Sequence, residues 1–448
     1  MNTETIPNMS ALILDFFGKT AKQLSKACGF TRRKSKLSGE QFASALVLSF
    51  INNPKSSLED ICQFLNHKKI KITRQGIHDR FNATSVFFMQ QLFKECSVKF
   101  KNKSENLIEL LKPFQSVNLL DSSGFKLPEA LKNEFKGHGG SSPNAGLKLQ
   151  VMLDYLNGID DLWITEATKN DQGFRDHLSF IKKGGLYLQD LGYFVLDSFK
   201  KIQSEEAYFI SRFLKKTLVF QEDGKELDLL LSLKRAGLKF EQNVYIGKKD
   251  RLLVRMVAER VPEAVAEKRV REEIAYGKRK GYTPSDRSLE LMNWSIFVTN
   301  IPPTLLTLEQ IILVYKLRWQ IEIFFKLCKS EFAINHVSGK HRERILCELF
   351  AKLIGVVLLL YIATPVRWGT YQELSFRKAF KKLSNLSIDW YRALKSSYLM
   401  EKFLKKILDD FKHFAFKIGK KINKKTTVQK LMDATGQEKL SDYDFSLA

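Results

Sequence analysis

The chain has 448 residues, 44% of them hydrophobic, which excludes both a small single-core domain and a largely disordered chain. Its 73 Lys and Arg residues against 49 Asp and Glu residues give a formal net charge of +24, which indicates a polyanionic partner, most commonly nucleic acid. Five scattered cysteines, none in a C-x-x-C arrangement, exclude a disulfide framework and a structural zinc site.

Residues 1–110 are predicted to form a helical region that contacts DNA. The stretch SGEQFASALVLSFI begins with a capping box, Ser38 followed by Gln41, and continues with apolar residues at helical spacing. Basic residues, among them Arg74 and Arg80, lie between and at the ends of the predicted helices, as in a small DNA-binding unit. The alternative interpretation is that these cations are solvated helix ends.

From residue 115 the pattern changes to strands. The run SVNLLDSS carries Asp121 at its end, and LKLQVMLDYLNGIDDLWITEAT reads as two strands joined through Asn157 and Gly158, a strong hairpin signal. A short helix follows, then the strand LYLQD ending in Asp190, a second helix and the strand YFISRFL. The predicted order is therefore three strands, helix, strand, helix, strand.

A mixed, mostly β insertion is predicted at 218–300, and helices follow it. The insertion contains a hairpin, a basic helix and a returning strand that includes Trp294. Beyond the helix predicted at 307–330, the apolar run LIGVVLLLYIA is too short to span a bilayer and is predicted to be a buried core helix. The first residues lack the pattern of a secretory signal. We therefore expect a soluble, intracellular protein with no membrane partner.

One stripe of the predicted 307–330 helix is polar. At roughly 100° per residue, Tyr315, Arg318, Glu322 and Lys329 fall on a single narrow face. The opposite face is apolar and consists of Leu317, Ile321, Phe324, Leu327 and Cys328. The stripe predicts either a functional surface or a solvent-facing set of polar residues with an ion pair between positions 318 and 322.

Three acidic residues could form a metal site. Asp121 and Asp190 end predicted strands and Glu322 lies on a helix. Burying an isolated carboxylate costs a large free energy, so acids at strand ends usually face solvent, a cation or a metal ion. Three converging acids would bind two divalent ions, which activate the attacking oxygen and stabilise the leaving oxygen at phosphorus. Asp197 is the rival second carboxylate, but its position at a predicted helix start favours a capping role.

The same residues resemble a known family. The spacing of Tyr315, Arg318, Glu322 and Lys329 resembles the Y-R-E-K signature of DDE transposases of the insertion-sequence-four (IS-four) family. LLDSSGFKLP around Asp121 and LQDLGYF around Asp190 resemble its two aspartate segments. The likeness covers about residues 115–335.

The resemblance implies an α/β, ribonuclease-H-like catalytic core at 115–335 that contains the insertion 218–300. It is flanked by an all-α DNA-end-binding domain at 1–110 and a basic helical region at 336–448, a candidate for dimerisation. It also implies cut-and-paste transposition by phosphodiester hydrolysis and strand transfer at inverted-repeat ends through a DNA hairpin. The implied partners are transposon-end and target double-stranded DNA, with a homodimer in the synapsed complex, in the cytoplasm and nucleoid of a bacterium.

The resemblance also assigns roles to individual residues. Asp121, Asp190 and Glu322 would bind two Mg²⁺ or Mn²⁺ ions per active site. Phosphates would be held by Tyr315, Arg318 and Lys329. Trp294 would stack on a flipped base, although a Trp at a strand start is more often part of the core.

Two other functions remain open on the sequence. The same two-metal site would serve a ribonuclease-H-like nuclease that hydrolyses phosphodiesters without strand transfer. A non-catalytic DNA-binding protein of transposase origin is the third interpretation, which the intact acidic triad disfavours.

Overall fold

The computed structural model describes residues 5–33, 35–101, 108–337, 339–368, 373–417 and 425–435, and the chain divides into two compact units. The first unit consists of Met1–Glu109, Ser122–Lys169 and Gln320–Ala448. The second unit consists of Leu110–Asp121 and Asn170–Trp319. Parts of the helical regions predicted at 1–110 and 336–448 lie outside the described residues.

Helices make up most of the first unit and occur between the strands of the second. Within the described ranges the α-helices are α1 (Thr5–Asp15), α2 (Ala21–Ala27), α3 (Gly39–Asn52), α4 (Leu58–Asn66), α5 (Arg74–His78), α6 (Ala83–Lys99), α7 (Leu196–Ser204), α8 (Leu229–Ala236), α9 (Glu263–Lys280), α10 (Asp286–Glu290), α11 (Leu308–Tyr315), α12 (Trp319–Ser330), α13 (Arg342–Trp368), α14 (Phe376–Asn385), α15 (Ser387–Ala393), α16 (Ser397–Phe414) and α17 (Thr427–Asp433).

The strands form a mixed sheet. They are β1 (Ser116–Lys126), β2 (Gly146–Asp154), β3 (Gly158–Glu166), β4 (Gly185–Gln189), β5 (Tyr208–Arg212), β6 (Val219–Phe220), β7 (Lys239–Ile246), β8 (Leu252–Arg260) and β9 (Trp294–Thr299). The order is β3-β2-β1 in the first unit and β1-β4-β5-β9-β8-β7-β6 in the second. β1, β4 and β5 are parallel, whereas the pairs from β5 to β6 are antiparallel.

Local signals in the sequence account for two of these elements. The Ser38 side chain accepts from the Gln41 backbone N–H, and the Gln41 side chain accepts from Ser38, which completes the predicted capping box of α3. The predicted β2–β3 hairpin is also confirmed. Gly158 begins β3 with a φ of +114°, a conformation that a residue with a Cβ rarely adopts.

The core of the first unit is built around α13. This helix packs against α3 and α6. It is long and apolar enough to cross a membrane by length and composition, but the whole of its most apolar 18-residue window is buried inside the protein. The prediction of a buried core helix is therefore confirmed.

The structure corrects three local predictions. The helix predicted at 307–330 is interrupted, because Lys316–Arg318 form a 3₁₀ turn between α11 and α12. β1 does not end at Asp121 but continues to Lys126. Asp197 does not cap α7, since Val195 occupies the N-cap position and Asp197 lies within the first turn.

Candidate active site

Three parallel strands of the second unit are in register at the position where β4 ends. Leu120 of β1 pairs with Gln189 of β4, and Gln189 pairs with Ser211 of β5. The residues that follow these three positions are therefore also neighbours on strands about 4.8 Å apart. They are Asp121, Asp190 and Arg212. The two predicted aspartates thus lie side by side, and a cation stands next to them.

The backbone turns away from the sheet directly after Asp190. Its carbonyl oxygen accepts a 2.9 Å hydrogen bond from the Tyr193 backbone N–H, in a short 3₁₀ turn over Leu191–Tyr193. Asp190 itself remains extended, with φ −84° and ψ 169°. The second aspartate is thereby held at a defined chain reversal rather than on a free loop.

Arg318 lies beside the first aspartate. Its Nη1 atom is 3.8 Å from Asp121 Oδ2, and both side chains are largely buried. At this distance the guanidinium attracts the carboxylate as an ion pair, and its planar fork can also bind a phosphate oxygen. Arg318, Asp121 and Asp190 all belong to the second unit, so three of the predicted site residues occur together there.

Tyr315 is placed differently from the predicted stripe. Its side chain is buried, and its hydroxyl donates a 3.1 Å hydrogen bond to the Gln189 carbonyl oxygen. Burial raises the pKa of the Tyr315 hydroxyl, and the nearby Asp190 carboxylate raises it further. The 3₁₀ turn explains the difference, because three residues at 120° instead of 100° rotate the helix face by about 60°.

The other two residues of the stripe belong to the first unit. Glu322 is partly buried in the first turn of α12, and Lys329 is exposed in its last turn. The Lys329 ammonium lies 5.3 Å from the centre of the Phe125 ring. The predicted apolar face is confirmed, since Leu317, Ile321, Phe324, Leu327 and Cys328 are all buried.

Trp294 is a core residue in this conformation. It begins β9, opposite Arg260, and only 6% of its surface is exposed. A buried ring can stack on a DNA base only if the side chain leaves the core. Trp319 is the contrasting tryptophan of the same unit: it directly follows Arg318 and is 59% exposed.

The two predicted N-terminal DNA contacts lie in the first unit. Arg74 is the first residue of α5 and is exposed. Arg80 is partly buried, with its guanidinium 6.0 Å from the centre of the Phe30 ring. Arg74 is therefore the more accessible of the two.

The donor set at the aspartates suits a divalent cation. Asp121 and Asp190 offer carboxylate oxygens from neighbouring strands, which is the ligand chemistry of Mg²⁺ and Mn²⁺. Among the residues that the structure describes, no group of three or more His, Cys, Asp or Glu side chains is placed to hold a metal ion. The pair therefore fits part of such a site, and Glu322 is the third ligand that the sequence predicts.

Arg212 is a neighbour of Asp190 that the sequence did not predict. It is exposed at the end of β5, next in line to Asp190. The signal was present in the predicted strand YFISRFL, where a lone cation interrupts an apolar run. Only the pairing register, which the sequence does not give, places that cation beside the aspartates.

Comparison with known proteins finds similarity to transposases. A family model described as a transposase DDE domain matches residues 112–358. The chain is 30% identical over 363 residues to the transposase for insertion sequence element IS231B of Bacillus thuringiensis subsp. berliner, covering 75% of each chain. It is 29% identical over 440 residues to the transposase for insertion sequence element IS1151 of Clostridium perfringens, covering 90% of this chain and 91% of the relative.

Proposed function

The chain belongs to the DDE transposase family of the insertion-sequence-four type, and we propose that it moves an insertion sequence by cut-and-paste transposition through a DNA hairpin. A transposase of an insertion sequence is a DNA-processing enzyme. The observation that carries the finer proposal is the register of β1 and β4, which sets Asp121 beside Asp190.

The proposed catalytic core is ribonuclease-H-like. The strands β1, β2 and β3 follow one another in sequence, and β4 and β5 come next, each parallel to its neighbour in the sheet. Asp121 and Asp190 come directly after the last paired residues of β1 and β4. That arrangement supports a core at 115–335, with 218–300 as an insertion. We assign residues 1–110 to the recognition of DNA ends, and residues 336–448 to dimerisation in the synapsed complex.

The proposed chemistry assigns a role to each side chain. Asp121, Asp190 and Glu322 would hold two Mg²⁺ or Mn²⁺ ions, which would supply activation of the attacking oxygen and stabilisation of the leaving oxygen. Arg318 orients Asp121 and binds a phosphate, and Lys329 binds a second phosphate as a point charge.

Two of the proposed DNA contacts require a change in the protein. The single proton of the Tyr315 hydroxyl already goes to the Gln189 oxygen, so Tyr315 would have to release that bond to donate to a phosphate. Trp294 would have to leave the core to stack on a flipped base. Arg74 and Arg80 are proposed to contact the ends of the element, and the bound DNA would be both the inverted-repeat ends and the target.

The proposal is tested by removing one carboxylate at a time. Asp190→Asn and Glu322→Gln should abolish Mg²⁺-dependent nicking of a labelled transposon end, while affinity for that DNA is retained. Asp197→Asn is the matched control, because Asp197 is a nearby exposed carboxylate on α7. Nicking at the normal rate by either active-site variant would overturn the assignment.

The products distinguish the three functions. Incubation of the full chain with a labelled end and Mn²⁺ should give a nick and then a hairpin. A nick that never proceeds to a hairpin or to joined target DNA would support the nuclease without strand transfer. Specific binding without any nick would support the non-catalytic DNA-binding protein.

The N-terminal assignment has its own test. Arg74→Ala should lower the preference for the inverted-repeat end over random DNA, because α5 would lose an exposed cation at its first residue. The control is Lys55→Ala, which removes an exposed cation elsewhere in the same predicted region. An unchanged preference in both variants would contradict DNA-end recognition by Arg74.

A further inference from the structure

Helix α9 is anchored to the sheet through its first half. The Arg269 guanidinium donates to the backbone oxygens of Met292 and Trp294, at 3.4 and 3.2 Å, and to the Ser295 hydroxyl at 3.1 Å. Ala266 is buried on the same side. Beyond Arg269 most of the helix surface is exposed. The second half therefore presents an exposed surface of the second unit.

The C-terminal end of α9 has a defined structure, which we call the α9 tip (Tyr276, Lys278, Arg279, Lys280 and Tyr282). The segment after the helix folds back on it: a Cβ at Gly277 would lie 2.6 Å from the Tyr282 carbonyl oxygen. The Tyr282 hydroxyl donates a 3.1 Å hydrogen bond to Glu273. The rings of Tyr276 and Tyr282 stand 6.2 Å apart, edge to face, and each is nearly half exposed.

The charges of the tip differ from those of the rest of the helix. Along the helix, Lys268 pairs with Glu272 at 3.8 Å and Arg271 with Glu267 at 3.6 Å. At the tip, Lys278, Arg279 and Lys280 are exposed, and none has a carboxylate at ion-pair distance among the described residues. Three uncompensated cations beside two tyrosines form a surface for a polyanion.

The anchored half of α9 lies near Arg212, at the sheet edge that carries Asp121, Asp190 and Arg212, which we call the aspartate edge. Burial lowers the pKa of Arg269, and the nearby Arg212 guanidinium lowers it further. Arg212 is the last residue of β5 and is next in register to Asp190. From Arg269 to Arg279 the helix rises about 15 Å, or four to five base pairs of DNA. Arg212, Arg269 and the three tip cations thus belong to one unit, with Arg269 near Arg212 and the tip about 15 Å farther along the helix.

We propose that the α9 tip binds the phosphate backbone of duplex DNA about half a helical turn from the reacting strand. Lys278, Arg279 and Lys280 would contact phosphates, and the tyrosine pair would pack against the sugar-phosphate edge. The contact is independent of sequence, because it involves no base. The inference rests on the proposed function, since it takes the aspartate edge as the place where the reacting strand lies.

The experiment measures how DNA affinity depends on salt. The full chain is titrated with a random-sequence duplex without divalent ions, over a series of KCl concentrations. Lys278→Ala/Arg279→Ala/Lys280→Ala should reduce the slope of log K against log salt by about 2.7, since each lost phosphate contact removes about 0.9. At about 0.15 M salt this corresponds to a loss of affinity of about a hundredfold.

The matched control removes the same three charges from the same unit. Lys225→Ala/Lys268→Ala/Arg271→Ala takes away exposed cations that are paired with Asp223, Glu272 and Glu267, and its slope should stay close to that of the unaltered chain. An equal loss in both variants, or an unchanged slope in the tip variant, would overturn the proposal. So would a tip variant that loses only self-association, because its partner would then be protein.

The failure of this inference can be told apart from failure of the proposed function. The tip variant should still nick a labelled end with Mn²⁺ at low salt, since the carboxylates are intact. Its footprint on the DNA should be shorter by four to five base pairs on one side. If the unaltered chain binds DNA but never nicks it, the proposed function fails. The salt dependence of DNA affinity would still show whether the α9 tip binds DNA.

Discussion

The Tyr315 hydroxyl donates a hydrogen bond to the carbonyl oxygen of Gln189, the residue directly before Asp190. The Arg212 backbone also hydrogen-bonds this phenol. One buried side chain of α11 therefore ties together the ends of β4 and β5. In this conformation Tyr315 therefore holds the end of β4, directly before Asp190, in place.

Tyr315→Phe tests this supporting role. The variant removes the hydrogen bond that the phenol donates to the buried Gln189 carbonyl oxygen, so the free energy of unfolding should fall by about 1–2 kcal/mol. Nicking should fall without a change in DNA affinity. Tyr208→Phe is the control, because the Tyr208 hydroxyl on β5 makes no hydrogen bond within the described residues. A weaker affinity for DNA with unchanged stability would instead assign Tyr315 to a phosphate.

The sequence predicted elements and site residues where a short-range signal exists. The capping box at Ser38 and the turn at Gly158 are such signals, and each was confirmed. Asp121 and Asp190 were predicted as site residues because each ends an apolar run typical of a strand. Their side-by-side placement in the second unit needed only the parallel pairing of β1 with β4, which crossover connections favour.

What the sequence could not supply is register and helix phase. Arg212 stands beside Asp190 because Gln189 pairs with Ser211, and no local pattern encodes that pairing. Tyr315 left the predicted stripe because a 3₁₀ turn at Lys316–Arg318 changes the angle per residue. In both cases the residue is visible in the sequence, but its position depends on the tertiary structure.

Arg212→Ala tests whether the cation beside the aspartates takes part in the reaction. Because a positioned cation stabilises charge that develops on a phosphate oxygen, the nicking rate should fall about 10- to 100-fold. Arg212→Lys should recover part of it, since the charge remains while the planar fork is lost. Single-turnover nicking of a labelled end gives the rates. Arg260→Ala, at the exposed end of β8, should be silent; equal losses in both variants would show a general charge effect.

Arg255→Met tests whether Arg255 holds the segment between β9 and α11 in place. Buried Arg255 donates to Glu241 at 2.9 Å and to the backbone oxygens of Ile301 and Leu306 at 3.1 and 2.7 Å. Loss of these bonds should lower the free energy of unfolding by about 2–3 kcal/mol, seen as a lower denaturant midpoint. Arg260→Met on the same strand is the control. A midpoint unchanged in Arg255→Met would show that the segment before α11 is held by packing alone.

His177 should make the protein sensitive to acid. It is buried between Phe174 and Tyr193, and neither ring nitrogen has a hydrogen-bond partner in the described part of the chain. Burial lowers the pKa of His177 to about 4. Between pH 6.5 and 4 the unfolded chain therefore binds a proton that the folded protein does not, and stability falls by roughly 3 kcal/mol as the pH drops.

The measurement is the denaturant midpoint of His177→Phe across this pH range. The variant should lose less stability than the unaltered chain on acidification, whatever its stability at neutral pH. His138→Phe exchanges an exposed histidine and should leave the acid dependence as it is. Parallel curves for His177→Phe and the unaltered chain would contradict the assignment.

The two tryptophans of the second unit should respond in opposite ways to truncation. Trp294→Ala empties a core position, so the free energy of unfolding should fall by about 3–5 kcal/mol. Trp319→Ala removes an exposed ring and should change it by less than about 0.5 kcal/mol. Thermal melts and circular dichroism of the purified variants give both values. Any nicking defect of Trp294→Ala should therefore accompany a loss of folded protein. A Trp294→Ala variant that folds normally but no longer binds hairpin DNA would instead show that this ring leaves the core to stack on a base.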